Sequence, residues 1–199
     1  MHCVLPVAWR WRLRGANPIN ALPQAAPPEW AYVAVGSNIE PHRSVPRALE
    51  LLRAVCPVRA VSTFYETAAI DRPEQPSYRN GMFALEWSGG ARALKFDHLR
   101  NVEAALGRTR TDDAYAPRTI DLDIMLLGNL VCREPDLQIP GPEIRGRPFV
   151  AVTLCELFPE AVLPDTGERI VELATGADVD SLMPDRALTE VLKEMLDGS

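Results

Sequence analysis

The chain has 199 residues, 47% apolar and 24% charged, an ordinary balance for a globular protein long enough to bury a core. Its net charge of −6 argues against a nucleic-acid or anionic-membrane partner and leaves room only for a local basic cleft. Cys3, Cys56, Cys132 and Cys155 are far apart with no CxxC pair, and His2, His42 and His98 are as scattered. A zinc site is therefore not expected, and the thiols read as reduced, in a cytoplasmic protein.

Residues 1–29 hold three arginines, no acid before Glu29, and many prolines and alanines. The arginines follow the apolar residues, the reverse of a secretory signal, so this stretch reads as a poorly ordered extension outside the fold. A transit peptide is the lesser alternative. No apolar run approaches the ~20 residues of a membrane span. Then "EWAYVAVGSN" reads as a buried strand ending in a Gly-Ser-Asn turn. "HRSVPRALELLRAVC" places Val45, Ala48, Leu51, Leu52 and Val55 at helical spacing, with Ser44 and Pro46 suited to a first turn. "VRAVSTFYETAA" and "YRNGMFALEWS" alternate with period two and predict strands across a polar loop, "IDRPEQPS". "GARALKFDHLRNVEAALG" predicts a second amphipathic helix stopped by Gly107, and "RTIDLDIMLLG" a further strand. Short helices are expected near "PFVAVTLCELFP" and "ALTEVLKEMLD".

The order strand, helix, strand, strand, helix, strand is that of a ferredoxin-like α+β fold. It predicts an antiparallel sheet with helices mainly on one face and a C-terminal helical extension. One domain over residues 30–199 accounts for it.

The stretch "YAPRTIDLDIML" sets two aspartates among apolar residues. Alternation along a strand turns Ile120, Leu122 and Ile124 to the helices and Asp121 and Asp123 to the open face, roughly 7 Å apart at a rise of ~3.3 Å per residue. Such a pair suits Mg²⁺, which takes one or two carboxylates and completes its shell with water and phosphate oxygens. A solvated face paired with surface arginines explains the same pattern. Arg108, Arg110 and Arg118 in or beside the preceding loop tilt the balance, since guanidinium groups suit phosphates. With no GxxxxGK[ST], a P-loop is excluded.

"AVGSN", "STFYETAAI", "QPSYRNGMFALEW", "VEAALGRTR", "APRTIDLDIMLLGN" and "IPGPEIRGRPFV" occur in order between Ala31 and Pro164. In these the chain resembles the 6-hydroxymethyl-7,8-dihydropterin pyrophosphokinases of folate biosynthesis. The resemblance implies transfer of diphosphate from ATP to a pterin alcohol, releasing AMP. It implies two Mg²⁺ ions on Asp121 and Asp123, and Arg108 and Arg118 as the catalytic phosphate clamp with Arg110 as helper. Glu103, Ile124 and Arg147 match further nucleotide-side positions. Tyr78 and Phe149 match the rings that sandwich the pterin, Asn80 the amide that reads its edge, and Thr67, Ile70 and Tyr115 the rest of its surroundings. Partners are then small molecules only, with no nucleic acid or membrane, in a monomer or weak homo-oligomer.

Four departures stand out. Gly141 replaces the family's phosphate-contacting histidine, Ala116 a glycine before "PRT", Ala68 a proline, and Arg100 a nucleotide-side glutamine of some members. Two competing readings follow: another two-metal nucleotidyl or phosphoryl transferase, and a silent pterin- or nucleotide-binding paralogue.

Overall fold

The computed structural model describes residues 28–69, 72–109, 113 and 116–198. The apolar run of β1 (Glu29–Ser37) is buried on both faces, as expected of a central strand. α1 (Pro41–Arg53) follows and buries Val45, Ala48, Leu49 and Leu52. It stops at Arg53, so Val55 falls beyond it and is exposed.

The single strand expected over "VRAVSTFYETAA" is two, β2 (Val58–Val61) and β3 (Tyr65–Thr67), both pairing with β4 (Tyr78–Trp87). The break has a cause. Ser62 turns its Oγ onto Thr63 O at 2.9 Å and accepts the Met82 amide at 2.9 Å, while Phe64 is driven into the core with no exposure. The second helix is also composite. A π-helical segment, Ala93–Leu99, in which the Arg100 N–H reaches back to Lys95 O, runs into α2 (Arg100–Ala105). β5 (Asp121–Leu127) starts at the first aspartate rather than at Arg118.

Beyond β5 the chain forms a hairpin of β6 (Cys132–Glu134) and β7 (Leu137–Ile139), then α3 (Glu143–Gly146), α4 (Pro148–Leu157) and α5 (Ile170–Thr175). β8 (Met183–Pro184) and α6 (Arg186–Asp197) end it. Among the described residues the main sheet has the order β5-β1-β4-β3-β8, with β2 beside β3 on β4, and all its pairings are antiparallel. The fold is thus a mixed α/β one on an antiparallel sheet.

One face of the sheet packs Val33, Val35, Phe83, Leu85, Leu122 and Ile124 against α1, the π segment with α2, and α6. The other packs Tyr32, Met82, Ala84, Met125 and Leu126 against Ile144, Val150, Leu154 and Ile170. Helices therefore lie on both faces, contrary to the expectation of one covered face, because α3, α4 and α5 fold back over the second. A bulge opposite Tyr32 and Val33 lets Met125 and Leu126 both enter that second core. Among the described residues, the end of the second face carrying Gly36, Asn80, Asp121 and Asp123 stays open as a cleft.

The sheet's far edge is tied to α6 by Asp185. Its carboxylate accepts the Leu188 amide at 3.0 Å and Arg79 Nε at 2.6 Å, and lies 2.8 Å from His42 Nε2. Burial raises this carboxyl's pKa, but the Leu188 amide, Arg79 and His42 outweigh it and hold the group below the ordinary carboxylate range. A depressed folded pKa gives stability that is complete above the unfolded value and lost as pH falls through the folded one. Asp185→Ala should cost about 1–3 kcal/mol in urea unfolding at neutral pH, from the lost cap and the loss of one of Arg79's two carboxylate partners, Glu66 being the other. The gap to wild type should narrow in acid; a gap independent of pH would contradict the charged role.

Candidate active site

β5 is an edge strand, so one row of its amides needs partners outside the sheet. Glu103 on α2, only 2% exposed, supplies one: its Oε1 accepts the Leu122 N–H at 2.9 Å. The same oxygen accepts from Arg108 Nη1, which also bonds Asp121 Oδ1. Arg118 Nη1 takes the second oxygen of Asp121 at 2.6 Å. A continuous relay results, Glu103–Arg108–Asp121–Arg118.

Arg118 is held by its backbone as well. Its N–H donates to Asn38 Oδ1 at 2.8 Å, and its C=O accepts the Asn38 and Ile39 amides, each at 3.2 Å. The "GSN" turn ending β1 therefore aims this arginine. Burial works against the Arg118 charge, but Asp121 and a hydrogen bond that the guanidinium donates to the Tyr78 hydroxyl more than offset it and raise the guanidinium's pKa above its ordinary value.

Asp121 and Asp123 stand opposite Gly36 and Ala34 of β1 and open into one cleft. Asp123 is half exposed, with Lys95 Nζ 3.3 Å from its Oδ1. Among the described residues no cluster of three or more His, Cys, Asp or Glu forms a metal cage. Two adjacent carboxylates fit Mg²⁺ all the same, because that ion leaves most of its shell to water and phosphate.

The rest of the cleft is walled by Tyr78 and Asn80 of β4, Thr67 and Gln75, and by Arg147, Phe149 and Val150 at the start of α4. Asn80 Nδ2 donates to Thr67 Oγ1 at 2.7 Å, which fixes the amide's orientation. Gly36 makes that position available, for a Cβ there would come 2.7 Å from Asn80 Oδ1. Of the residues expected at a site, the structure thus brings together Thr67, Tyr78, Asn80, Arg118, Asp121, Asp123, Arg147 and Phe149, with Glu103 and Arg108 behind the carboxylates. It does not bring in the Ile124 side chain, which is 3% exposed in the core on the opposite face. Contact from that residue can come only through its backbone. Ile70, Arg110 and Tyr115 lie outside the described residues.

Asn38 and Lys95 were not read as site residues from the sequence. "GSN" signalled a turn but not its grip on Arg118, and nothing in the local pattern marks Lys95.

Gly141 is coupled to the cleft through Met125. Its N–H donates to Met125 O at 2.9 Å, and a Cβ at Gly141 would lie 2.8 Å from the buried Met125 Sδ. The thioether thus crowds the space a side chain at 141 would need first. Gly141→His alone should destabilise the protein by about 1–3 kcal/mol through overpacking and Met125→Ala alone by about 2–5 kcal/mol through the cavity it leaves, and the double variant should lose clearly less than the sum of the two. Thermal unfolding of the three variants checks it; a fully tolerated histidine would contradict the crowding.

Cations locked to paired carboxylates at one end of a cleft, with ring faces and a fixed amide at the other, are the equipment of a phosphoryl-transferring enzyme that works beside a flat heterocycle. Comparison with known proteins agrees. Residues 32–159 match the family described as 7,8-dihydro-6-hydroxymethylpterin-pyrophosphokinase (HPPK). The 2-amino-4-hydroxy-6-hydroxymethyldihydropteridine pyrophosphokinase of Pseudomonas aeruginosa is 34% identical over 154 residues, covering 76% of this chain and 93% of its own. That of Synechocystis is 34% identical over 157 residues, covering 77% and 79%. The chain belongs to this pyrophosphokinase family. Its fold also resembles Plasmodium falciparum HPPK-DHPS with pterin and p-hydroxybenzoate, with a TM-score of 0.57 at 10% identity. That alignment covers 77% of this chain but only 44% of the longer protein.

Proposed function

We infer that the protein transfers a diphosphate from ATP to the hydroxymethyl group of 6-hydroxymethyl-7,8-dihydropterin, releasing AMP, in folate biosynthesis. The observation that carries this reading is the Glu103–Arg108–Asp121–Arg118 relay opening into a cleft walled by Tyr78, Asn80 and Phe149.

Each role follows from chemistry. Tyr78 and Phe149 offer ring faces to the pterin, and Asn80, oriented by Thr67, offers an in-plane donor and acceptor to its edge. Arg118 binds phosphate oxygens from beside the carboxylates and Arg147 from the α4 side, with Arg108 braced behind. Glu103 is too buried to touch a nucleotide freely, so it acts by positioning Arg108 and β5. Asp121 and Asp123 would hold Mg²⁺, two ions on the family pattern, which when bound would neutralise the charge on the triphosphate. In-line attack on the β-phosphorus then depends on holding the pterin alcohol and the clamped phosphates at one distance, which both walls of the cleft serve.

The strand order supports the ferredoxin-like reading. With β2 and β3 taken as one strand, the strands of the repeat lie fourth, first, third, second across the sheet. We take residues 30–199 as one domain that works in the cytoplasm on small molecules, as a monomer or weak homo-oligomer. No helix among the described residues is long and apolar enough to cross a membrane.

Gly141, where the family carries histidine, favours a second reading, a protein that binds pterin without turnover. AMP formation from MgATP separates the two. Pterin-dependent AMP should appear, and Asp123→Ala should lower it by at least about a hundredfold, the scale on which charge-stabilising groups act. Saturable pterin binding with no AMP would establish the silent reading instead.

A further inference from the structure

Lysine is scarce in this chain: there are two, Lys95 and Lys193, against nineteen arginines. One of the two stands on Asp123, with Nζ 3.3 Å from Oδ1 and its side chain only 20% exposed. It reaches there from the far side of the sheet. Leu94 and Leu99 on the same π segment are fully buried in the core that contains Leu122 and Ile124, so the root of Lys95 is pinned opposite the cleft and its stem passes the edge of β5. The two carboxylates are thus treated differently. Asp121 is gripped by two arginines, whose rigid planar forks suit a fixed pair. Asp123 has a compact charge on a flexible four-carbon stem, which can swing away without moving the backbone.

A surface ion pair often has no further consequence. Here, however, one partner is a carboxylate read above as a metal ligand, and an ammonium and a divalent cation compete for the same oxygen charge. We propose that Lys95 is a resident counter-cation of the metal site, neutralising Asp123 as the two arginines neutralise Asp121 until a divalent cation displaces it, and thereby setting the site's metal affinity. Lys95 is a positioning residue in this scheme, with no contact to either substrate required. The inference rests on the reading of Asp121 and Asp123 as metal carboxylates.

Mn²⁺ alone, without nucleotide, is the probe, its binding read by electron paramagnetic resonance on the full chain. Lys95→Met keeps the stem and removes the charge, and should bind Mn²⁺ about tenfold tighter, the scale expected from deleting one positive charge a few ångströms from the ion. Lys95→Arg should stay near wild type, and Asp123→Ala should lose the site. Should Lys95→Met fold poorly, judged by its thermal midpoint, Lys95→Gln carries the same expectation. The proposal is overturned by unchanged or weaker Mn²⁺ binding in the uncharged variants. If Asp123→Ala still abolishes binding in that case, only the role of Lys95 falls. If Asp123→Ala binds Mn²⁺ as wild type does, the metal carboxylates fall and Lys95 with them.

Discussion

Glu103, a carboxylate almost wholly withdrawn from solvent, holds this structure and its candidate chemistry together. Burying a charge costs several kcal/mol unless it is paired and hydrogen-bonded. Here one oxygen meets both needs, taking the Leu122 amide of the edge strand and the Arg108 guanidinium. The first contact satisfies β5 where the sheet runs out of strands. The second fixes Arg108 so that it bridges to Asp121, and Asp121 in turn fixes Arg118. The relay alternates negative and positive and is locally neutral, so the arginines stay in place without a bound phosphate to organise them. Such preorganisation matters for phosphoryl transfer, in which the protein contributes position and compensating charge rather than covalent chemistry.

The covering of the sheet explains where the cleft lies. With the first face closed by α1, α2 and α6 and most of the second by α3, α4 and α5, one end of the second face remains for ligands. α4 closes the cleft's other wall by presenting Arg147 and Phe149 at its start, while its buried Val150 and Leu154 anchor it to Met125 and Ala84. Packing and binding are therefore done by adjacent residues of one short helix. The same economy appears at Met125, which bonds Gly141 through its carbonyl, fills the space beside it and enters the second core.

Elements with an unbroken period were legible in the sequence. β1, α1, β4, α4 and α6 all appear where the apolar pattern places them. The split between β2 and β3 was not, because strand-favouring Val61, Thr63, Phe64 and Tyr65 run through it with no Gly or Pro to mark a turn. The π segment was not either, since one wide turn leaves the helical spacing of the surrounding residues nearly intact. The β6–β7 hairpin is built of three-residue strands, too short to show a period. In the site, the two aspartates and Arg118 were legible because carboxylates amid an apolar strand demand cationic partners. Lys95 and Asn38 were not, for each acts across the fold on a residue distant in sequence. Ile124 is placed on the nucleotide side by resemblance alone; its side chain lies on the sheet's first face, as strand alternation places it, so only its backbone can reach the cleft.

Joined through shared hydrogen bonds, Glu103, Arg108, Asp121 and Arg118 should act as one unit. A double-mutant cycle between its ends, Glu103→Gln and Arg118→Lys with the double variant, tests this most directly, reading kcat/KM for pterin-dependent AMP formation. If the relay is one unit, the double variant should be little worse than the worse single one, a coupling well outside the roughly 0.3–0.5 kcal/mol expected of independent sites. Losses that simply add would mean that the two ends work separately and that the relay is only a structural brace.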